Sequence, residues 1–571
     1  MLHLEHLKKG GNQDQLIKRA AGRYYTGELV GRRLASEVAA AYYHAQPSPQ
    51  KIKVLDPFGG DGRLIEWLIE AWLQSGFPDV QWDVSLWDLD SVGLDAARIR
   101  VKRLAKKYGA KCRVRFRVLD TFCETLRNRA GFDILITNPP WELLKPDRRE
   151  LESLSAVRKT QYVSRMRAYD RWLGEHYPLS QPRRKFAGWG TNLSRVGLEA
   201  SLLLAREGGV VGAVLPASLL ADDQTVQLRE HLFTKHSLLS TTYYPAEAKL
   251  YGSADVASIA VTLIADAAPT HSLVIAVYDV RKNKVEQSII GLDSEAMHRV
   301  GYAVPVSFGA KLLGIASDLA QRFPSWLDLE SAASSALWAG REIDETGITQ
   351  WLVPPSGDAP LFVKGRMIDR YSTVAPLLQS AVKKPGWSIP PSVHARRIAW
   401  RDVSRPSQKR RIIATLIEPG CVAGNSVGVA YFRDMAEVPL LALLGVMNST
   451  CFEFQLRAHL ATGHVSLSSL RKVAIPGLER LRKAVVLANL VKHTLNSSDG
   501  SAIDVDAYVA RRIYGLTEDE YQAILDGFTA LSEFERQAYL ARYRAWESAG
   551  AAEAQALVVR EQEVFMTCAI T

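Results

Sequence analysis

Residues 138 to 141 read Asn-Pro-Pro-Trp and end an apolar run, "FDILIT". The side-chain oxygen of Asn138 and the carbonyl of Pro139 are both acceptors, so together they can hold the two N–H bonds of one amino group. Such a grip favours the pyramidal, more nucleophilic nitrogen that forms as the nitrogen attacks, which is transition-state stabilisation. Pro139 and Pro140 lock φ and remove two N–H donors, so both acceptors come from a rigid backbone. Trp141 adds an aromatic face for a planar base drawn out of a duplex. A second group lies upstream in "DPFGGDG", where Asp56, Pro57 and Phe58 precede Gly59, Gly60 and Gly62. Those glycines permit a tight turn and a close approach to a ligand. The loop lacks a Gly-Lys-Ser/Thr, so it is no P-loop, and Asp56 with Asp61 would repel a pyrophosphate. Further on stand Asp88, placed to accept both hydrogen bonds of a ribose diol, and Asp120, placed to accept from an exocyclic amine. The implied ligand is a cationic nucleoside without phosphates, and S-adenosylmethionine fits. Taken singly, each feature has a plainer reading: a tight connection for the glycines, a rigid turn and a core tryptophan for the diproline.

The elements that must position these residues alternate. "KIKVLDP", "WDVSLWDLD", "CRVRFRVLD" and "FDILIT" read as strands, the third half-buried by its period of two and the fourth as a buried sheet centre. Between them "GRLIEWLIEAWLQSG" carries Leu64, Ile65, Leu68 and Trp72 on one helical face. "SVGLDAARIRVKRLAKKYG" is a basic amphipathic helix with Gly109 as its C-cap. A helix in "RVGLEASLLLARE" and strands in "GGVVGAVLP" and "VASIAVTLIA" follow. The pattern predicts an α/β fold with an open, mostly parallel, Rossmann-like doubly wound sheet. In such sheets ligands bind beyond the carboxyl ends of the strands, and four successive strands here end in an acid or an amide.

The chain has 571 residues, enough for two to four domains, with 47% apolar and 23% charged residues and a net charge of +10. The excess suits a polyanion partner without demanding one. Five scattered cysteines with no C-x-x-C pair argue against a disulfide framework or a zinc site and fit a reducing cytoplasm. Neither a signal peptide nor a membrane-spanning run is read.

With these motifs in order, the chain resembles the amino-group DNA methyltransferases, specifically N6-adenine enzymes in which cofactor motifs come first, catalysis second and target recognition last. The resemblance covers roughly residues 20 to 270. It implies catalysis by Asn138, Pro139, Pro140 and Trp141, and S-adenosylmethionine binding by Tyr25, Thr26, Asp56, Pro57, Phe58, Gly59, Gly60, Gly62, Asp88 and Asp120. Tyr25 and Thr26 would touch the methionine end, Asp88 the ribose and Asp120 the adenine. Tyr251, where relatives often carry Phe, would stack on the flipped base opposite Trp141. Residues 142–190 look like an insertion, in which arginines interleaved with Tyr162, Tyr169 and Trp172 either line a DNA cleft or form a solvated helical face with its aromatics inward.

The remaining 300 or so residues resemble target-recognition domains. Arg396, Arg397, Arg401, Arg405, Lys409, Arg410 and Arg411 stand against one acid, Asp402, a density suited to double-stranded DNA phosphates. The expected division is a catalytic domain over 1–295, an α+β recognition domain over 296–480 and a helical C-terminal region over 481–571. The cofactor motifs begin by about residue 24, so an N-terminal nuclease is not expected, and no metal is required. The function expected is site-specific adenine-N6 methylation of DNA within a restriction–modification or phage-defence system, in the cytoplasm, alongside a separate restriction nuclease or other defence subunits. The alternatives are an RNA or protein-glutamine methyltransferase, which share Asn-Pro-Pro-aromatic, an N4-cytosine enzyme, or a DNA-binding specificity subunit active only with a partner.

Overall fold

The computed structural model describes residues 26–548 apart from 109–110, 147–150, 153, 184, 186–187, 252–255, 333–335, 345–347, 356–358, 375–380, 384, 405–407, 461–462 and 497–500. Tyr25, Gly109 and Arg405 therefore lie outside the described residues. The chain divides into two compact units, residues 1–309 and 310–571.

The first unit is built on a nine-stranded sheet. Its strands are β1 (Lys51–Asp56), β2 (Gln81–Asp88), β3 (Cys112–Val118), β4 (Phe132–Thr137), β5 (Ala205–Pro216), β6 (Ser237–Tyr244), β7 (Ser258–Ile264), β8 (Ser272–Tyr278) and β9 (Lys284–Gly291). They lie in the order β3-β2-β1-β4-β5-β7-β6-β8-β9. β3 through β5 pair in parallel, and β7 is antiparallel to both β5 and β6. β1 sits at the switch point, since the chain adds β2 on one side of it and later β4 on the other. The six runs expected as strands fall in β1 to β5 and β7. β4, flanked by β1 and β5, buries Ile134 to Thr137, as its unbroken apolar run requires.

Helices cover both faces. The helices of this unit used below are α1 (Glu28–Ala45), α2 (Arg63–Gln74), α3 (Ser91–Tyr108), α4 (Thr121–Thr125), α5 (Ala156–His176) and α6 (Leu193–Leu204). α1 buries Val30, Leu34, Val38 and Tyr42, one stripe at helical spacing. It lies close on β5 because Gly212 has no side chain; a Cβ there would stand 2.3 Å from Val38 Cγ2. One boundary differs from expectation. Residues 205 to 207 belong to β5 rather than to the preceding helix, since Ala205 pairs with Phe132 and Arg206 Nε bonds Asp133 at 2.5 Å. Sheet pairing outweighs the local helical preference of Ala-Arg-Glu.

The second unit holds two four-stranded sheets. One is antiparallel, in the order Leu337–Gly340, Val427–Phe432, Arg397–Arg401, Ala414–Ile417. The helix Glu437–Met447 is buried over nearly its whole surface. The C-terminal helices are integral to this unit. Asp506, on helix Ala502–Tyr508, is fully buried and accepts from Arg370, Arg410 and the Thr450 amide and hydroxyl at 2.6–3.2 Å. Among the described residues no helix is long and apolar enough to cross a membrane.

Candidate active site on the strand rim

The carboxyl ends of β1, β2, β3 and β4 carry Asp56, Asp88, Asp120 and Asn138. Hydrogen bonds stitch these ends together. Asp56 Oδ1 accepts from Thr137 Oγ1 at 2.8 Å and from the Phe58 amide at 3.2 Å, tying the β1 end to the residue before Asn138. Asp88 accepts from the Gly60 amide at 2.8 Å and the Asp90 amide at 2.8 Å, which pins the glycine loop against β2. Gly62 adopts φ +76° to turn the loop into α2, where a Cβ would also stand 2.9 Å from Ala97 Cβ. Thr121 Oγ1 donates to the Pro57 carbonyl from the β3 side.

Burial, with the like charges of Asp88 and Asp61 adding to it, pushes the Asp56 carboxyl up to about 7 against the hydrogen bonds from Thr137 and Phe58. A cationic ligand would relieve the like-charge repulsion among Asp56, Asp88 and Asp61, so this set of carboxylate acceptors fits S-adenosylmethionine. Asp61 plays another part than repelling phosphate. It is paired with Arg63 at 2.6 Å and Arg100 at 3.4 Å, and Arg63 Nη1 also donates to the Thr26 carbonyl at 3.2 Å. Through this clamp the α1 entry is fastened to the glycine loop. Thr26 is itself buried, and its Oγ1 accepts from Asn138 Nδ2 at 3.1 Å. An amide that donates through Nδ2 to Thr26 turns Oδ1 to its opposite side. Behind the diproline, Gly197 of α6 allows close packing: a Cβ there would stand 2.4 Å from Pro139 Cβ and 3.2 Å from the Phe58 ring.

Trp141 and Tyr251 are brought together, but edge to face, with ring centroids 4.6 Å apart and planes at 61°. Sandwiching a base needs rings about 7 Å apart, two stacking distances of ~3.5 Å. In this arrangement one ring occupies the other's stacking face. Tyr251 is buried, with its hydroxyl on Ser258 at 3.1 Å, while Trp141 is partly exposed and donates from Nε1 to the Val214 carbonyl at 3.4 Å.

Among the described residues of 142–190 is α5, which runs for 21 residues. Of the two readings of this stretch, the inward packing of aromatics is the one seen. Tyr162, Tyr169 and Trp172 pack on a core of Phe122, Met166, Leu173 and Tyr177, with Phe58 from the glycine loop. Tyr169 donates to Asp120 Oδ2 at 3.1 Å, while Oδ1 accepts from the Phe122 amide and caps α4. Sequence reasoning missed this contact; the spacing of Tyr162, Met166, Tyr169 and Leu173 is that of a helical stripe and signals their inward packing, but not the partner Asp120.

The described residues of the basic stretch 396–411 are mostly engaged within their own unit. Arg397 is fully buried, pairs with Glu342 at 2.8 Å and also donates to the Cys421 carbonyl. Arg410 pairs with Glu453 at 2.7 Å and Asp506 at 3.2 Å, and Arg411 is buried beside it. These three cannot reach a phosphate, because folding withdraws their charges into the unit's interior. Arg401 donates to the Ile368 carbonyl at 2.5 Å. Arg396 and Lys409 keep partly exposed side chains, each in a surface ion pair: Arg396 meets Glu418 at 2.9 Å and Lys409 meets Glu535 at 2.8 Å.

No protein-family model matches the chain, and no curated protein matches its sequence. Solved structures do resemble it. A nuclease-deletion mutant of the Type ISP restriction–modification enzyme LlaGI, in complex with a DNA substrate mimic, matches 86% of this chain and 49% of its own at 11% identity and TM-score 0.52. The chain thus spans about half the length of that nuclease-deleted chain. The type IIG restriction endonuclease BpuSI matches 93% of this chain and 68% of its own at 12% identity and TM-score 0.42. A type I restriction–modification methyltransferase subunit from Streptococcus thermophilus matches 51% and 56% at 16% identity and TM-score 0.31. The α/β architecture with its large, parallel-rich sheet is of the kind seen in the first of these, the LlaGI restriction–modification enzyme.

Proposed function

We propose that the chain is an S-adenosylmethionine-dependent methyltransferase that modifies the amino group of adenine in duplex DNA, as part of a restriction–modification or related defence system. The observation that carries this reading is the stitched rim. Asn138 stands on a rigid diproline turn, is held by Thr26, and follows a residue bonded to the buried acid of the glycine loop. The motif residues Tyr25, Thr26, Asp56, Pro57, Phe58, Gly59, Gly60 and Gly62, with Asp88 and Asp120, would hold the cofactor, whose sulfonium supplies an electrophilic methyl group. Asp88 would take the ribose. Asp120 would take the adenine amine while Tyr169 holds the other side of its carboxylate.

The chain's own part in the reaction follows from its acceptors. Asn138 Oδ1 and the Pro139 carbonyl would hold the two N–H bonds of the target amine, drawing its lone pair out of conjugation with the ring. Pro140 keeps that pair of acceptors rigid. Trp141, turned away from Tyr251, would stack on the extruded base and leave Tyr251 as the wall behind it. The DNA would be held by the second unit, in the recognition role proposed for residues beyond about 296.

The test is transfer of a labelled methyl group to duplex DNA, RNA and protein extract in parallel, with digestion of the DNA and mass spectrometry of its nucleosides. N6-methyladenine is expected. Label confined to RNA, to glutamine or to N4-methylcytosine would replace this reading with one of its rivals.

A further inference from the structure

Two exposed side chains in the second unit are organised by one buried carboxylate, with a third beside them. Asp402 is buried, and its Oδ1 accepts from Arg341 Nη2 at 2.8 Å while Oδ2 meets His464 Nδ1 at 3.0 Å. The side chains of Arg341 and His464 are 51% and 60% exposed. Val403, the bridge partner of His464, is an exposed apolar residue at 53%. The support beneath them is rigid. The Asp402 amide donates to the Ser426 carbonyl at 2.9 Å, and its carbonyl accepts from the Val465 amide at 2.6 Å. Ser404 N–H bonds the Gly463 carbonyl at 2.7 Å, which fastens the same two segments again.

This is an unusual surface. A charged carboxylate is desolvated, fixed at both backbone ends, and used to aim two donors outward. A phosphate site would gather uncompensated cations, yet here the acid cancels the charge of Arg341, so phosphate attraction is blunted. What remains is geometry. The guanidinium carries five N–H donors, and one given to Asp402 leaves four, enough for a bidentate contact to guanine O6 and N7. His464 adds a further polar edge, and Val403 an apolar contact of the kind that meets a thymine methyl. Locking the arginine on a carboxylate lowers the ordering cost of the contact, which is what discrimination between bases requires.

From this we propose that Arg341, His464 and Val403 form a base-reading patch for duplex DNA, with Arg341 reading a guanine in the major groove and Asp402 as its positioning residue. The site rests on the recognition half of the proposed function, and it can be tested without any methyl transfer.

The experiment is selection of a randomised duplex library by the purified full-length chain, followed by sequencing. The wild type is expected to enrich a defined motif. Arg341→Ala is expected to lose about tenfold or more of its preference at one guanine position while the other positions keep theirs. Asp402→Asn, which keeps the side chain's shape, is expected to relax the same position, and the double variant no further position, since both act on one contact. Equal melting temperatures and equal denaturation midpoints of the second unit exclude misfolding, and Arg341→Lys, which keeps charge without the planar fork, is expected to behave like Arg341→Ala. An unchanged motif with affinity lowered uniformly and the salt slope reduced by about one would make Arg341 a phosphate contact and overturn the proposal. A wild type that enriches no motif would overturn it as well. Enrichment without methylation would leave this patch standing and remove the proposed reaction instead.

Discussion

Single side chains decide whether the rim can do chemistry. With its carboxyl raised to about 7 by burial and by the like charges of Asp88 and Asp61, Asp56 holds a proton in the folded chain that an unfolded chain loses near pH 4. Between about pH 4 and 7 the folded state therefore binds more protons, and stability falls as pH rises through that window and levels off above it. A sulfonium ligand favours the ionised acid. S-adenosylmethionine should thus bind more tightly as pH rises through 7, with proton release seen as buffer-dependent heat in calorimetry. The neutral thioether S-adenosylhomocysteine should show much less of both, and Asp56→Asn should abolish the difference. Trp141→Ala should leave cofactor affinity within about twofold and weaken capture of an extruded base, read by the fluorescence of 2-aminopurine at the target position. Stacking of this kind is worth about 1–3 kcal/mol, so a loss of roughly tenfold or more is expected.

At the scale of elements, α6 sets the position of the diproline turn. Gly197→Leu would drive a side chain into Pro139, whose Cβ lies 2.4 Å from where the new Cβ must go. Such overpacking costs about 1–3 kcal/mol and shifts the turn. The expected result is a fall in turnover with cofactor affinity retained, measured by single-turnover kinetics and calorimetry. Much of this element map was legible in the sequence. The strands carry their burial in their period, so β3 and β4 were recognisable from alternation and from an unbroken apolar run. The glycine loop was legible because only a turn with positive φ needs glycine there. What stayed hidden were contacts between distant segments: Tyr169 on Asp120, Arg63 and Arg100 on Asp61, Thr137 on Asp56. These depend on sheet order, which no local pattern contains. The basic stretch 396–411 misled for the same reason. Its charges are dense in sequence, and Glu342, Glu453 and Asp506, which neutralise Arg397 and Arg410, lie far from them along the chain.

At the scale of the whole molecule, the chain is two compact units with separate tasks in the proposed function. The second is held around a buried ion cluster, in which Asp506 and Glu453 are fully buried among Arg370, Arg410 and Arg457. Removing one partner of such a cluster strands the others and costs about 3–5 kcal/mol. Asp506→Ala should accordingly lower the denaturation midpoint of this unit and abolish DNA binding. S-adenosylmethionine binding, seated in the first unit, should survive, which calorimetry on the same protein would show. The central claim concerns Asn138, and single-turnover transfer of a labelled methyl group to duplex DNA by wild type and Asn138→Ala tests it most directly. Label in N6-methyladenine is expected with the wild type, and a loss of about a hundredfold or more with the variant while S-adenosylmethionine binds both alike. Undiminished transfer by Asn138→Ala would contradict the claim.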